Sequence, residues 1–241
     1  MATKTTLQIK SAAITHEGLK RDHNEDTYAM EPEYNTWVVT DGMGGHQHGE
    51  VASAMARDFV VAGIKQGKSL EEAVRYAGQL VAEEAHRGDE PLPMGTTVVA
   101  CHLVANKAKF AWVGDSRIYA LSPENELKQV SNDHSYVQEL VDQGAISIEQ
   151  ARAHPHRNVV TQALGVSSVD DLFVETAEMD IESGHRLLLC SDGLTEEVAD
   201  SEISHMLARR IDVQETIDQL LVGALENGGS DNITIILLDF S

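Results

Sequence analysis

The chain is short of cations, cysteine and aromatic residues, and it has no long apolar run. Lys and Arg number 18 against 39 Asp and Glu, a formal net charge of -21 at pH 7, which works against unaided binding to nucleic acid or to an anionic membrane surface. The two cysteines, Cys101 and Cys190, lie inside apolar segments without CxxC spacing, so buried free thiols are expected rather than a disulfide framework or a thiolate metal site. No segment approaches the roughly 18 apolar residues of a membrane helix. The opening Met-Ala-Thr-Lys-Thr-Thr lacks the apolar core of a signal peptide, so a cytoplasmic protein with no membrane and no nucleic-acid partner is expected. Walker lysine spacing and GxGxxG are both missing, which removes the glycine-rich loop at 41–49 as a nucleotide cradle.

What is present is 42% apolar content over 241 residues, enough for one domain, 1–241, with a substantial core. Strand patterns fall at 7–14, 26–30, 36–40, 96–104, 109–113, 117–121, 127–130, 172–176, 186–191 and 232–240. Helical patterns fall at 50–66, at 69–87 behind a Ser69/Glu72 capping box, and at 134–143 and 147–153 ahead of Pro155. Two more helices are expected to open at Asp200 and Asp212, the second stopped by Gly228-Gly229. This order is not strict βαβ alternation, so antiparallel sheets covered by helix pairs are favoured, an α+β fold.

Three of the most apolar runs each end in an aspartate beside a glycine: Trp37-Val-Val-Thr-Asp41-Gly42, Ala111-Trp-Val-Gly114-Asp115 and Leu187-Leu-Leu-Cys-Ser-Asp192-Gly193. Asp231 stands immediately before a fourth, Ile233-Thr-Ile-Ile-Leu-Leu. Asp-Gly is ordinary turn chemistry, but these pairs recur at the ends of the strands that must share a core. Two carboxylates about 4 Å apart repel by roughly 4 kcal/mol at an effective dielectric near 20. A converging set therefore calls for cations, and oxygen-only ligands suit Mg²⁺ or Mn²⁺. Arg21, five residues before Asp26, offers a planar fork that can hold two phosphate oxygens without competing as a metal ligand. A phosphoryl-transfer site needs both halves.

Seven motifs appear in order across the chain: Arg21-Asp-His-Asn-Glu25-Asp26, Val39-Thr-Asp41-Gly42-Met-Gly-Gly-His46, Met94-Gly95-Thr96-Thr97, Gly114-Asp115-Ser116-Arg117, Ser131-Asn-Asp133-His134, Cys190-Ser-Asp192-Gly193-Leu194 and Asp231-Asn232. With them the chain resembles the metal-dependent protein phosphatase family, protein phosphatase 2C, in its small stand-alone bacterial form. The resemblance implies a four-layer α-β-β-α sandwich of two mainly antiparallel sheets flanked by helix pairs, with metals in a cleft at one end. It implies that Asp41 bridges two ions, that the Gly42 carbonyl ligates one, and that Asp192 and Asp231 hold the other. Asp26 would act through metal-bound water, Glu25 would stand behind it, and Asp115 with Asp192 would form a third ion site. Glu196 sits where some relatives carry another acidic ligand. The segment 135–164 corresponds to a flap whose His154, His156 and Arg157 would face a protein substrate.

The implied activity is a Mn²⁺- or Mg²⁺-dependent serine/threonine phosphoprotein phosphatase, acting on phosphorylated proteins against an opposing kinase. Two divalent ions would supply hydroxide for in-line attack at phosphorus, with Arg21 on the phosphate. His46 is the candidate general acid for the leaving alkoxide, although relatives with a histidine directly after Asp-Gly place it at the position of Met43. A zinc pair His46-Gln-His48 lacks a third histidine in a fitting motif, and Thr96 and Thr97 read as strand residues rather than nucleophiles. Two alternatives are hydrolysis of small phosphoesters and a non-catalytic phosphoprotein-binding relative. The intact set of metal carboxylates argues against the second.

Overall fold

A computed structural model describes residues 7–44, 48–87, 92–167 and 171–241. Eleven strands, all paired antiparallel, make two sheets among the described residues. One runs β1 (Ile9–His16), β11 (Ile233–Phe240), β10 (Arg186–Cys190), β7 (Arg117–Leu121), β8 (Leu127–Gln129). The other runs β2 (Asp26–Glu31), β3 (Thr36–Met43), β5 (Val98–Val104), β6 (Lys107–Val113), β9 (Glu175–Asp180), with the two-residue β4 (Gly95–Thr96) against β3.

Alternation along each strand builds the layers. Leu187 and Leu189 of β10 and Ile236, Leu238 and Phe240 of β11 meet Trp37, Val39, Val99, Phe110 and Trp112 of the opposite sheet in the central core. Their neighbours Leu188, Cys190, Ile233, Ile235 and Leu237 face outward and pack under α6 (Asp200–Ala208) and α7 (Val213–Asn227). On the far side Val38, Val98, Ala100, Ala111 and Val113 pack under α1 (His48–Lys65) and α2 (Leu70–Ala85). Both faces of each central strand are therefore covered, and this is why the runs read as continuously apolar instead of alternating. The four-layer sandwich is as the resemblance implied.

Local chemistry explains most element ends. The Ser69 hydroxyl accepts from the Glu72 N–H (3.3 Å) and the Glu72 carboxylate accepts from the Ser69 N–H (2.8 Å), the reciprocal cap expected for α2. Asp212 caps α7 through the Gln214 N–H (2.9 Å). At α6 the expectation is corrected by one residue: Ala199 is the N-cap, Asp200 is the first helical residue, and Glu202 accepts from the Ala199 N–H (3.1 Å). The strand expected at 172–176 is also shifted. Leu172 and Val174 are buried in the α1/α2 layer as irregular chain, and the ladder with β6 starts at Glu175 and continues to Asp180. Two short helices, α3 (Tyr136–Asp142) and α4 (Ile148–Arg152), occupy the segment after β8, and α5 (Asp192–Thr195), which the pattern did not announce, follows β10 directly.

Candidate metal centre

The sheet registers carry the acidic residues to one end of the sandwich. Asp26 opens β2 directly opposite Asp41 on β3. The Asp41 carbonyl is fixed by the Thr97 N–H and the Thr96 hydroxyl, both at 2.8 Å. Gly42 follows, its N–H donating to the Glu25 carbonyl (3.1 Å); a Cβ here would collide with the Gly49 carbonyl, so the backbone at this point can only be glycine. Asp192 begins α5 just past β10, and Asp231 stands just before β11, the neighbouring strand. Asp115 lies between β6 and β7, after Gly114 at φ +107°. Arg21, Glu25, Asp41, Gly42, Asp115, Asp192 and Asp231 line one cleft of about 520 Å³, joined at its rim by Lys20 and His23. Asp26 is buried behind them.

This cluster is electrostatically costly. Burial, reinforced by the charges of Asp26, Asp192, Asp115 and Asp231, pushes the Asp41 carboxyl well above its ordinary range. Burial and then Asp115, Glu196, Asp231 and Asp26 do the same to Asp192. Burial lifts Asp26 to about 6, against the lowering pull of its hydrogen bond from Ser191. Asp115 is lifted to about 7 by burial and by Asp133. Glu25 and Glu196 are raised as well, burial again coming first.

The donors fit a hard divalent cation. All are carboxylate or carbonyl oxygens, the ligand set of Mg²⁺ and Mn²⁺. One oxygen of Asp26 accepts from the Ser191 hydroxyl (2.7 Å) while the other, Oδ1, is buried with no hydrogen-bond partner; a buried acceptor left in this way costs about 1–3 kcal/mol unless something else engages it. Among the described residues no three His, Cys, Asp or Glu side chains already stand as a closed metal cage. What the fold assembles is a ring of mutually repelling carboxylates around a cleft. Arg21 engages the ring directly, donating from Nη2 to Asp231 Oδ2 at 2.6 Å, and that contact raises its own pKa.

The remaining predicted residues divide. Glu196 and Arg157 line a second cavity of about 500 Å³, which shares Asp115 and Asp192 with the first and runs between α3, α4 and the start of α6; Arg157 Nε lies 3.9 Å from Glu196 Oε1. His154 and His156 do not line either cleft. They cluster with Tyr136, at ring separations of 6.0 and 6.1 Å. His46 lies outside the described residues. Ser191, Asn232 and His23 were not singled out from the sequence, though each stands inside a quoted motif, one or two places from an acidic residue. The motif spacing was the signal that could have found them.

A four-layer sandwich with an oxygen-only acidic cleft and an arginine at its rim defines a class: hydrolases that use divalent ions on phosphate esters. Comparison with known proteins agrees. Residues 17–232 match the protein phosphatase 2C family, and the chain belongs to that family. It is 35% identical to the protein phosphatase PhpP of Streptococcus pneumoniae, over 97% of this chain and 98% of that one. Among solved structures, the serine/threonine phosphatase Stp1 of Staphylococcus aureus superposes with a TM-score of 0.88 at 31% identity, covering 97% of this chain and 96% of the other. The catalytic domain of the serine/threonine phosphatase PstP in complex with 2 manganese ions gives 0.86 at 32% identity, covering 98% and 99%.

Proposed function

We infer that the chain is a metal-dependent serine/threonine protein phosphatase in which Asp26, Asp41, the Gly42 carbonyl, Asp192 and Asp231 hold two divalent ions and Arg21 holds the substrate phosphate. The observation that carries this reading is the buried ring of carboxylates at one cleft with a single guanidinium engaged on it. When bound, Mn²⁺ or Mg²⁺ lowers the pKa of a coordinated water toward neutrality and offsets charge on the transferring phosphoryl group.

The chain's own residues do the rest. Arg21 presents two donors to phosphate oxygens and stays charged at any working pH. Ser191 fixes one Asp26 oxygen and the other has no hydrogen-bond partner, so it is the oxygen proposed to act toward the ions. Glu25 supports the cleft wall, its N–H donating to the Asn232 side chain (2.8 Å). The leaving alkoxide needs a proton, and His46 is the proposed donor. Asp115 and Asp192 are the proposed core of a third ion site, with Glu196 at its edge.

The second cavity, opening from the first at Asp115 and Asp192, is proposed to take the polypeptide flanking the phosphorylated residue. The segment 135–164 would serve as the flap over it within a single catalytic domain spanning 1–241, with Arg157 facing the substrate and His154 and His156 acting from behind. An opposing serine/threonine kinase and a cytoplasmic setting belong to the same proposal. The buried free thiols Cys101 and Cys190 suit a reducing compartment. Release of phosphate from a phosphoserine peptide should require Mn²⁺ or Mg²⁺ and stop with chelator. Release from a small aryl phosphate but from no phosphopeptide would favour small-ester hydrolysis, and release from neither would leave a binding protein.

A further inference from the structure

Arg21 sits on an exposed loop with a side chain 54% exposed, and an arginine on a long flexible stem is a poor phosphate anchor unless its backbone is held. One side chain ties the backbone on both sides of it. The Asn232 side chain, 6% exposed, accepts from the Glu25 N–H (2.8 Å) and donates both amide hydrogens, to the Glu17 carbonyl (3.0 Å) and the His23 carbonyl (2.9 Å). These three points bracket Arg21 on both sides. Asn232 in turn immediately precedes β11, an interior strand between β1 and β10, and its own N–H donates to Asp231 Oδ1 (2.8 Å). One more tie, Leu19 N–H to the Gly229 carbonyl (2.7 Å), joins the same loop to the same turn.

We propose that Asn232 is a positioning residue for phosphate recognition: it clamps residues 17–25 onto the root of β11 so that Arg21 is presented to the cleft. Only an amide side chain supplies one acceptor and two donors in this geometry. Aspartate would lose both donors and alanine all three contacts. The inference rests on Arg21 holding the phosphate, so the test must separate the two.

In the Mn²⁺-loaded full-length chain, KM and kcat for a phosphoserine peptide are measured for Arg21→Ala, Asn232→Ala and the double variant. Mn²⁺ affinity is followed by calorimetry, and amide exchange is followed across 17–25. Asn232→Ala should raise KM roughly tenfold, speed exchange in 17–25 while β10 and β7 stay protected, and leave Mn²⁺ affinity within about twofold of the parent. The double variant should match Arg21→Ala in KM, because a clamp has nothing left to position. KM effects that multiply, or an Asn232→Ala variant with unchanged KM, would overturn the proposal. An Arg21→Ala variant with unchanged KM would instead refute the phosphate role of Arg21. Should Asn232→Ala not fold, Asn232→Asp, which keeps the Glu25 contact, is expected to show the same dependence on Arg21. Its KM effect persisting in the Arg21→Ala background would equally sink the clamp.

Discussion

Two buried charged sites in this molecule are built on opposite plans. Arg186, 1% exposed in β10, donates to Asp239 (2.7 Å), to the Leu207 and Ile211 carbonyls (3.2 and 2.6 Å) and to the Thr216 hydroxyl (3.4 Å). It ties the sheet to both α6 and α7, and its charge is answered within the chain. At the cleft, Asp26, Asp41, Asp115 and Asp192 face one another, each pushed up by burial and like charge, and one Asp26 oxygen has no partner. A buried charge that the chain completes itself is architecture. Buried charges that the chain leaves uncompleted, when a domain is stable by only about 5–15 kcal/mol, mark a place where something else binds.

The largest effect that would sharpen the contrast is on activity. Asp41→Ala or Asp192→Ala should cut metal-dependent phosphate release by roughly a thousandfold or more and leave the metal-free melting temperature unchanged or higher, because one repelling carboxylate is gone. A large fall in that temperature would break the contrast. Arg186→Ala should do the reverse. It strands Asp239 and two carbonyls and should cost about 3–5 kcal/mol, a melting drop on the order of 10 °C for a chain this size, while Mn²⁺ dependence at permissive temperature persists.

A third test is pH. Asp26 at about 6 and Asp115 at about 7 lie above the ordinary value of 3.8, so the native state keeps protons that the unfolded chain has already released. Their contribution to stability is full below about pH 4 and is lost as pH rises through 6 and 7. Metal-free protein should therefore lose a few kcal/mol between pH 4.5 and about 7.5. Denaturant melts would show it, Asp192→Asn should flatten it, and saturating Mn²⁺ should oppose it. Stability rising over that range would contradict the sign. The smallest expected change is Asp115→Ala, about tenfold or less in activity and concentrated at low Mn²⁺. Unaltered activity at all Mn²⁺ concentrations would make a third ion dispensable.

The cleft carboxylates were legible because each interrupts a run whose two faces are both buried: Asp41 after Trp37 to Thr40, Asp192 after Leu187 to Ser191. Cores of strands such as β10 and β11 were legible for the same reason. β9 was harder to place because its burial alternates half-buried with exposed positions, Glu175 to Asp180, and its polar face masks the ladder while apolar Leu172 and Val174 just before it pack as loop. Asn232 was hidden in another way. Its importance lies in three backbone contacts across more than 200 residues of sequence, which no local pattern encodes. His154 and His156 were placed toward a protein substrate by the resemblance alone, and their grouping with Tyr136 is a tertiary contact that no local pattern encodes.

The most direct measurement is anomalous diffraction at the manganese edge from crystals grown with Mn²⁺. Peaks in contact with Asp41, Asp192 and Asp231, weakened or lost in Asp192→Ala, are the predicted result. Manganese bound elsewhere, with those three carboxylates free of any ion, would contradict a cleft built to be completed by metal.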